Sequence, residues 1–198
     1  RLFMGKFFNG GQTCVAPDDL FIPEGWEDVV EAKLRSFVET AFPDFPNNQQ
    51  YASIISEHHV QRLLAIVDDA KVHGARVVTI GERDVSQKKL PFYLIFNVND
   101  NMRVMQEELF GPILPIMTYQ NINQTVDYIN SKPHPLALYY FGSEAGEQKL
   151  FERHTLSGAL TINETVLHVA VDDLPFGGVG HSGMGHTHAE EGFDTFSK

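Results

Sequence analysis

Apolar runs with strand character and longer runs with helical spacing take turns along almost the whole chain, and that alternation restricts the fold more than any other feature. Residues 20–22, Leu-Phe-Ile, read as a short buried strand closed by Pro23. Trp26, Val29, Val30, Leu34, Phe37 and Val38 then recur at helical spacing as core-packing positions. The stretch 42–48 is a loop by its two prolines, each of which fixes φ and withdraws a donor. Ser56 caps a predicted helix from 57 to about 73, which Gly74 ends. A strand at 75–80, a polar connection at 81–89 and strands at 92–98 and 113–119 follow, the Asn-Asp-Asn at 99–101 stopping the second of these strands. Asn123 is read as the cap of a helix reaching Ser131, followed by a strand at 136–141, a helix at 144–155 and a strand at 158–162. Such alternation is the sequence sign of an α/β fold, doubly wound, with a mainly parallel sheet flanked by helices.

Composition narrows the class. A chain of 198 residues with 42% apolar content can bury a real core as one domain or a compact pair. The formal net charge of -11 argues against nucleic-acid partners and against an anionic membrane surface, because either polyanion would repel the summed field. No run is long enough to span a bilayer, and no charged-then-apolar signal peptide is seen. A single cysteine excludes a disulfide within the chain and fits a reducing cytoplasm. Arg1 is not a natural start, so a longer polypeptide is expected.

That one cysteine, Cys14, lies in Gly-Gly-Gln-Thr-Cys-Val-Ala at 10–16, just past the expected end of a helix with Leu2, Phe3, Phe7 and Phe8 on it. Taken alone, a lone cysteine is more often a small buried hydrophobe than a reactive thiol. Gly10 and Gly11 permit a tight turn and leave room beside the sulfur, while Gln12 and Thr13 can hydrogen-bond around it. The fuller run, Lys-Phe-Phe-Asn-Gly-Gly-Gln-Thr-Cys-Val-Ala-Pro-Asp at 6–18, closely resembles the nucleophile segment of the aldehyde dehydrogenase superfamily. Its Val-Ala-Pro-Asp continuation resembles the class 3 and coniferyl aldehyde dehydrogenase branch. The resemblance implies that Cys14 attacks an aldehyde carbon, that hydride passes to NAD or NADP, and that water hydrolyses the thioester left behind.

Two later runs fit the same family. Gln-Glu-Glu-Leu-Phe-Gly-Pro at 106–112 is similar to its Glu-Glu-(Ile/Leu)-Phe-Gly-Pro motif, which makes Glu108 the acceptor for the nicotinamide ribose hydroxyls and Phe110 the ring beside the nicotinamide. Leu-Pro-Phe-Gly-Gly-Val-Gly-His-Ser-Gly-Met-Gly at 174–185 resembles its Pro-Phe-Gly-Gly-x-x-x-Ser-Gly loop, with Phe176 facing the substrate. Its glycines also invite comparison with a phosphate loop, but no Lys-Ser/Thr follows and no strand-loop-helix unit frames one. Asn163 stands where the family has an asparagine lining the catalytic pocket, and equally reads as a turn residue at a strand end. His58, His59 and His73 read as solvated helix residues. His181, His186 and His188 lack the cysteine or clustered carboxylates of a tetrahedral set, so no metal is assigned.

The resemblance covers residues 1–198 as the carboxyl-terminal catalytic domain, ending in the family's closing segment at 190–198. It implies an upstream cofactor-binding domain that also carries the general base and an oxyanion-hole asparagine. It implies a small-molecule aldehyde substrate, a homodimer or dimer-based tetramer, and inactivity of this stretch alone. Asp19, Thr187 and Ala189-Glu-Glu depart from the Tyr, Tyr and Gly-Lys common in relatives, which leaves the substrate class open. A thiol-dependent hydrolase with a histidine base and a non-catalytic self-association domain are the competing readings.

Overall fold

Four strands stand in the order β1-β4-β3-β2, where β1 is Leu20–Pro23, β2 Arg76–Ile80, β3 Phe92–Phe96 and β4 Ile113–Tyr119. The structure is a computed structural model and describes residues 1–197; Lys198, the end of the closing segment, lies outside the described residues. β1 and β3 both run parallel to β4, with Leu20 opposite Ile116 and Tyr93 opposite Ile113. β2 pairs antiparallel to β3, Val78 facing Leu94. The alternating, mainly parallel α/β arrangement expected from the sequence is therefore present. The antiparallel edge follows from its connection: residues 81–91 turn back through an Asp84 to Lys89 bridge without the crossover that a parallel return requires.

This sheet belongs to one of two compact units, Phe3–Tyr119; the other comprises Arg1–Leu2 and Gln120–Lys198. In the amino-terminal unit, β3 is buried along its whole length and shows why. Tyr93 and Ile95 pack with Val60, Leu63, Ile66, Val67 and Ala70 of α3 (Glu57–Val72). Phe92, Leu94 and Phe96 point the other way, toward Phe7 of α1 (Leu2–Phe7) and Leu34 and Val38 of α2 (Glu27–Ala41). Side chains alternate across a strand, so a strand covered on both faces is apolar at every position. The second face is aromatic: the Phe7 ring meets Phe92 edge-on at 4.2 Å, and Tyr51 lies 4.9 Å from the same ring.

Helix boundaries follow their capping chemistry. Ser56 accepts a hydrogen bond from the His59 amide, as expected, and α3 stops where Gly74 adopts φ 88°. Trp26 and Val29 do not join the core expected for α2; they are exposed, and Leu34 and Val38 carry its buried contact. His58, His59 and His73 are exposed on α3 and at its end.

The carboxyl-terminal unit is built on a parallel pair, β5 (Ala137–Tyr140) and β6 (Ala159–Ile162), with Leu138 opposite Leu160. Val126 of α4 (Ile122–Asn130), Tyr140 and Phe151 of α5 (Ala145–His154) form its buried cluster. The cap of α4 is Asn121 rather than Asn123. Asn121 accepts from the Asn123 amide, and Gln124 reaches back to the Asn121 amide, a reciprocal box that needs the Asn two positions earlier. A last helix, α6, spans Ala189–Phe196. No helix among the described residues is long and apolar enough to cross a membrane.

Candidate functional site

Cys14 is exposed on a turn closed by the Ala16 amide donating to the Thr13 carbonyl at 3.0 Å. It follows α1 and a short 3-10 turn, Phe8–Gly11, in which Asn9 and Gly10 take left-handed backbone angles (φ 52° and 65°). Gln12 holds this turn in place. Its amide nitrogen donates to the carbonyls of Asn9 at 2.9 Å and Ser53 at 3.0 Å, and its amide oxygen accepts from the Ile55 N–H at 2.9 Å. The neighbouring Thr13 does not share that work: its hydroxyl is buried without a hydrogen-bond partner among the described residues.

Glycine joins the cysteine turn to the run at 106–112. Gly11 has φ 79°, and a Cβ there would overlap the Gly111 carbonyl; a Cβ on Gly111 would strike the methyls of Leu63. The two segments, a hundred positions apart in sequence, therefore touch backbone to backbone.

Within that second segment the adjacent glutamates divide their duties. Glu107 is tied to Arg62 at 3.1 Å and to Arg103 at 2.8 Å. Burial works to raise its carboxyl, but the two guanidiniums outweigh it and hold the group below the usual carboxylate range. Arg62 also donates to the carbonyls of Glu108 and Leu109, so one α3 side chain fixes three acceptors of the loop. Glu108 is exposed, and no hydrogen bond or ion pair among the described residues engages its carboxylate. Partial desolvation on its protein side, then the negative charge of Asp18, push that carboxyl above its ordinary value, while Arg62 and Lys6 pull the other way. Phe110 is 40% exposed with φ 51°, a left-handed angle uncommon for a bulky residue, and its ring is open to solvent.

Lys6 and Asp18 supply a tie that sequence reasoning did not single out. Lys6 is fully buried, its ammonium 3.2 Å from one Asp18 oxygen, and the other Asp18 oxygen accepts the Leu109 amide at 2.9 Å. A carboxylate bridging the helix before Cys14 to the residue after Glu108 fixes the spacing of the two motifs. Both residues lie inside the quoted run at 6–18, which was the available signal. Arg62 gave none, since only the fold carries it across 45 positions.

Asn163 and Phe176 lie in the carboxyl-terminal unit. Asn163 follows β6 with φ 60°, and its side-chain oxygen accepts from the Gly142 N–H while its side-chain nitrogen donates to the Gly142 carbonyl, both at 2.9 Å. Its own amide donates to Tyr140 at 2.7 Å and its carbonyl accepts from Arg1 at 2.8 Å, so each of its polar atoms is engaged. Phe176 is half-buried and forms a two-way backbone bridge with Thr187. Its ring stacks on His188 at 5.8 Å and lies 6.2 Å from His168. In the glycine-rich loop around it, a Cβ on Gly178 would overlap the Ser182 carbonyl, so the loop packs closely on its own backbone.

This arrangement can offer an accessible thiol, a free carboxylate acceptor and an open aromatic ring on one rigidly tied backbone. The profile of the aldehyde dehydrogenase family matches residues 1–198. The chain is 46% identical over 198 residues to a probable coniferyl aldehyde dehydrogenase of Pseudomonas aeruginosa, covering 100% of this chain and 41% of that protein. It is 37% identical over 199 residues to the dimeric NADP-preferring aldehyde dehydrogenase of Rattus norvegicus, covering 100% of this chain and 43% of the relative. The solved substrate-bound state of Staphylococcus aureus AldH superposes with a TM-score of 0.92 at 35% identity, over 99% of this chain and 42% of that one. The chain thus spans less than half the length of each of these relatives, and it belongs to the aldehyde dehydrogenase family.

Proposed function

We propose that residues 1–198 are the catalytic portion of a cytoplasmic NAD(P)-dependent aldehyde dehydrogenase, inactive alone, whose remaining sequence supplies a cofactor-binding domain, the general base and the second oxyanion donor. The observation that carries this reading is the contact of Gly11 with Gly111, which sets the exposed Cys14 turn beside the unengaged Glu108 and Phe110. The free carboxylate suits two vicinal ribose hydroxyls because it only accepts, and the solvent-open Phe110 ring suits the nicotinamide. Bound NAD(P) would supply the hydride acceptor. The Cys14 sulfur adds to the aldehyde carbon as the carbonyl oxygen takes the negative charge, and the Cys14 N–H is the donor this chain can offer to it. Loss of hydride from that carbon leaves a thioester on Cys14. Water then cleaves the carbon–sulfur bond, releasing a carboxylate and the free thiol.

Asn163 holds the end of β6 through its hydrogen bonds to Gly142, and Phe176 is the aromatic side chain that the family resemblance assigns to the substrate. Similarity to a probable coniferyl aldehyde dehydrogenase at 46% identity supports an aromatic aldehyde, and similarity to a dimeric enzyme supports a homodimer. In the full-length enzyme, aldehyde-dependent formation of NAD(P)H should fall by more than about 10³-fold in Cys14→Ala with the melting temperature unchanged. Turnover that survives the substitution would remove the sulfur from the mechanism.

A further inference from the structure

The Cys14 turn and the Glu108 loop are fastened to one frame, α3 and the residues that lead into it. Ile54, Leu63 and Leu109 belong to a single buried cluster, each 1% exposed or less, so the backbone around Ile54 is packed into the same core as the helix. Gln12 grips that backbone. Its side-chain nitrogen donates to the Ser53 carbonyl at 3.0 Å and its side-chain oxygen accepts the Ile55 N–H at 2.9 Å, one bond on each side of the buried Ile54. A primary amide carries donor and acceptor side by side, which matches the carbonyl and N–H offered by the residues flanking Ile54. The same nitrogen also donates to the Asn9 carbonyl at 2.9 Å, so one side chain joins the start of the turn to the frame. Asn9 bonds inward, its amide nitrogen donating to the Gln12 carbonyl at 3.2 Å, and Thr13 has no partner for its hydroxyl among the described residues. From the opposite side of the frame, Arg62 of α3 donates to the carbonyls of Glu108 and Leu109.

We infer that Gln12 is a positioning residue for the acylation of Cys14: through Ser53 and Ile55 it holds the sulfur and the Cys14 N–H in register with the Glu108 loop. The inference rests on the aldehyde-oxidising reading above and adds a residue that acts through the nucleophile. In the step it serves, a bond forms between the Cys14 sulfur and the aldehyde carbon, and the carbonyl π pair moves to oxygen, where the Cys14 N–H donates to it. Both atoms sit on an exposed turn whose own closure is the short-range bond from the Ala16 amide to the Thr13 carbonyl. A displacement of about 1 Å at a reacting group can cost about 10²-fold in rate, so the tie out of the turn matters more than the bond within it. The Glu108 loop does not depend on Gln12, because Arg62 and the Lys6–Asp18 pair hold it separately. Loss of the Gln12 amide should therefore slow the chemical step and leave cofactor binding in place.

The test uses the full-length enzyme as wild type, Gln12→Met and Gln12→Glu, well below the melting temperature of the least stable of the three. It measures the single-turnover rate of aldehyde-dependent NAD(P)H formation, the cofactor KM, and the rate at which the Cys14 thiolate displaces iodide from iodoacetamide. Gln12→Met, similar in volume but without the amide, should lose at least about tenfold in the single-turnover rate. Its cofactor KM and its alkylation rate should stay within about twofold of wild type, since the loop of Glu108 and the exposure of the thiol are unchanged. Gln12→Glu keeps an oxygen for the Ile55 N–H but turns an acceptor toward the Asn9 and Ser53 carbonyls. It should be as slow as Gln12→Met in alkaline buffer and recover, relative to wild type at the same pH, as acidification protonates the carboxylate into a donor. An unchanged single-turnover rate in Gln12→Met, a loss shared equally with cofactor KM or alkylation, or a Gln12→Glu deficit that ignores pH would overturn the assignment. Each of these results leaves the aldehyde reading standing, whereas a wild type that forms no NAD(P)H from aldehyde defeats that reading and the role of Gln12 with it.

Discussion

The two units treat their site residues in opposite ways. In Phe3–Tyr119 the scaffolding is done by neighbours: Gln12 anchors the Cys14 turn, and Arg62, Glu107, Lys6 and Asp18 anchor the loop of Glu108. Cys14, Glu108 and Phe110 are left exposed. In the unit of Gln120–Lys198 the anticipated site residues are themselves scaffold, since Asn163 spends both ends of its amide on Gly142 and Phe176 bridges Thr187. Substitutions should accordingly separate activity from stability in the first unit and entangle them in the second.

The largest stability effect expected is on the tie between the motifs. Asp18→Asn leaves the fully buried Lys6 ammonium without its counter-charge and should cost about 3 kcal/mol or more, read as a fall in melting temperature. Lys6→Met removes the buried charge at similar volume and should cost distinctly less. Equal losses in the two variants would mean that the pair, rather than the stranded lysine, sets the energy. Next in size is Asn163→Ala, which should destabilise by about 1–3 kcal/mol as two hydrogen bonds to Gly142 disappear and alanine is left at positive φ. Glu108→Gln should lie within about 0.5 kcal/mol of wild type while raising the cofactor KM. A destabilised Glu108→Gln beside a stable Asn163→Ala would invert the comparison.

The smallest effect is a displacement along the pH axis. In its proposed role Glu108 accepts from the ribose hydroxyls as the carboxylate, and its carboxyl is raised by partial desolvation and by Asp18, so cofactor affinity should weaken on acidification at a pH above the usual carboxylate range. Taking away the Asp18 charge should move that limb to lower pH, and Lys6→Met should move it higher. The pH dependence of cofactor KM in each variant reads the direction, and a shared direction would show that the charges do not act through Glu108.

Much of the architecture could be read from periodicity because the sheet of the amino-terminal unit is buried on both faces. The run at 92–96 has no polar position to blur it, and residues 113–119 match β4 in full. The antiparallel turn of β2 was not readable, because strand direction depends on whether a connection crosses over, and a polar surface stretch carries no mark of that. Trp26 and Val29 kept helical spacing at the start of α2, yet a helix pattern does not say how far its face remains in contact with the core. For the proposed site, the motif letters singled out Cys14, Glu108 and Phe110 as candidates but not the division of labour between Glu107 and Glu108. That division belongs to Arg62 and Arg103, which only the fold delivers. Asn163 admitted two readings from sequence, and its hydrogen bonds to Gly142 give the turn role a physical basis.

The absence of side chains at Gly11 and Gly111 has a consequence for anyone who recombines this protein with its relatives. A crossover placed between the two positions would bring together halves whose main chains were fitted to different neighbours, with no flexible side chain between them to absorb the misfit. Chimeras that inherit 6–18 and 106–112 from a single parent should outperform those that split them, even when the split parent is the more similar one.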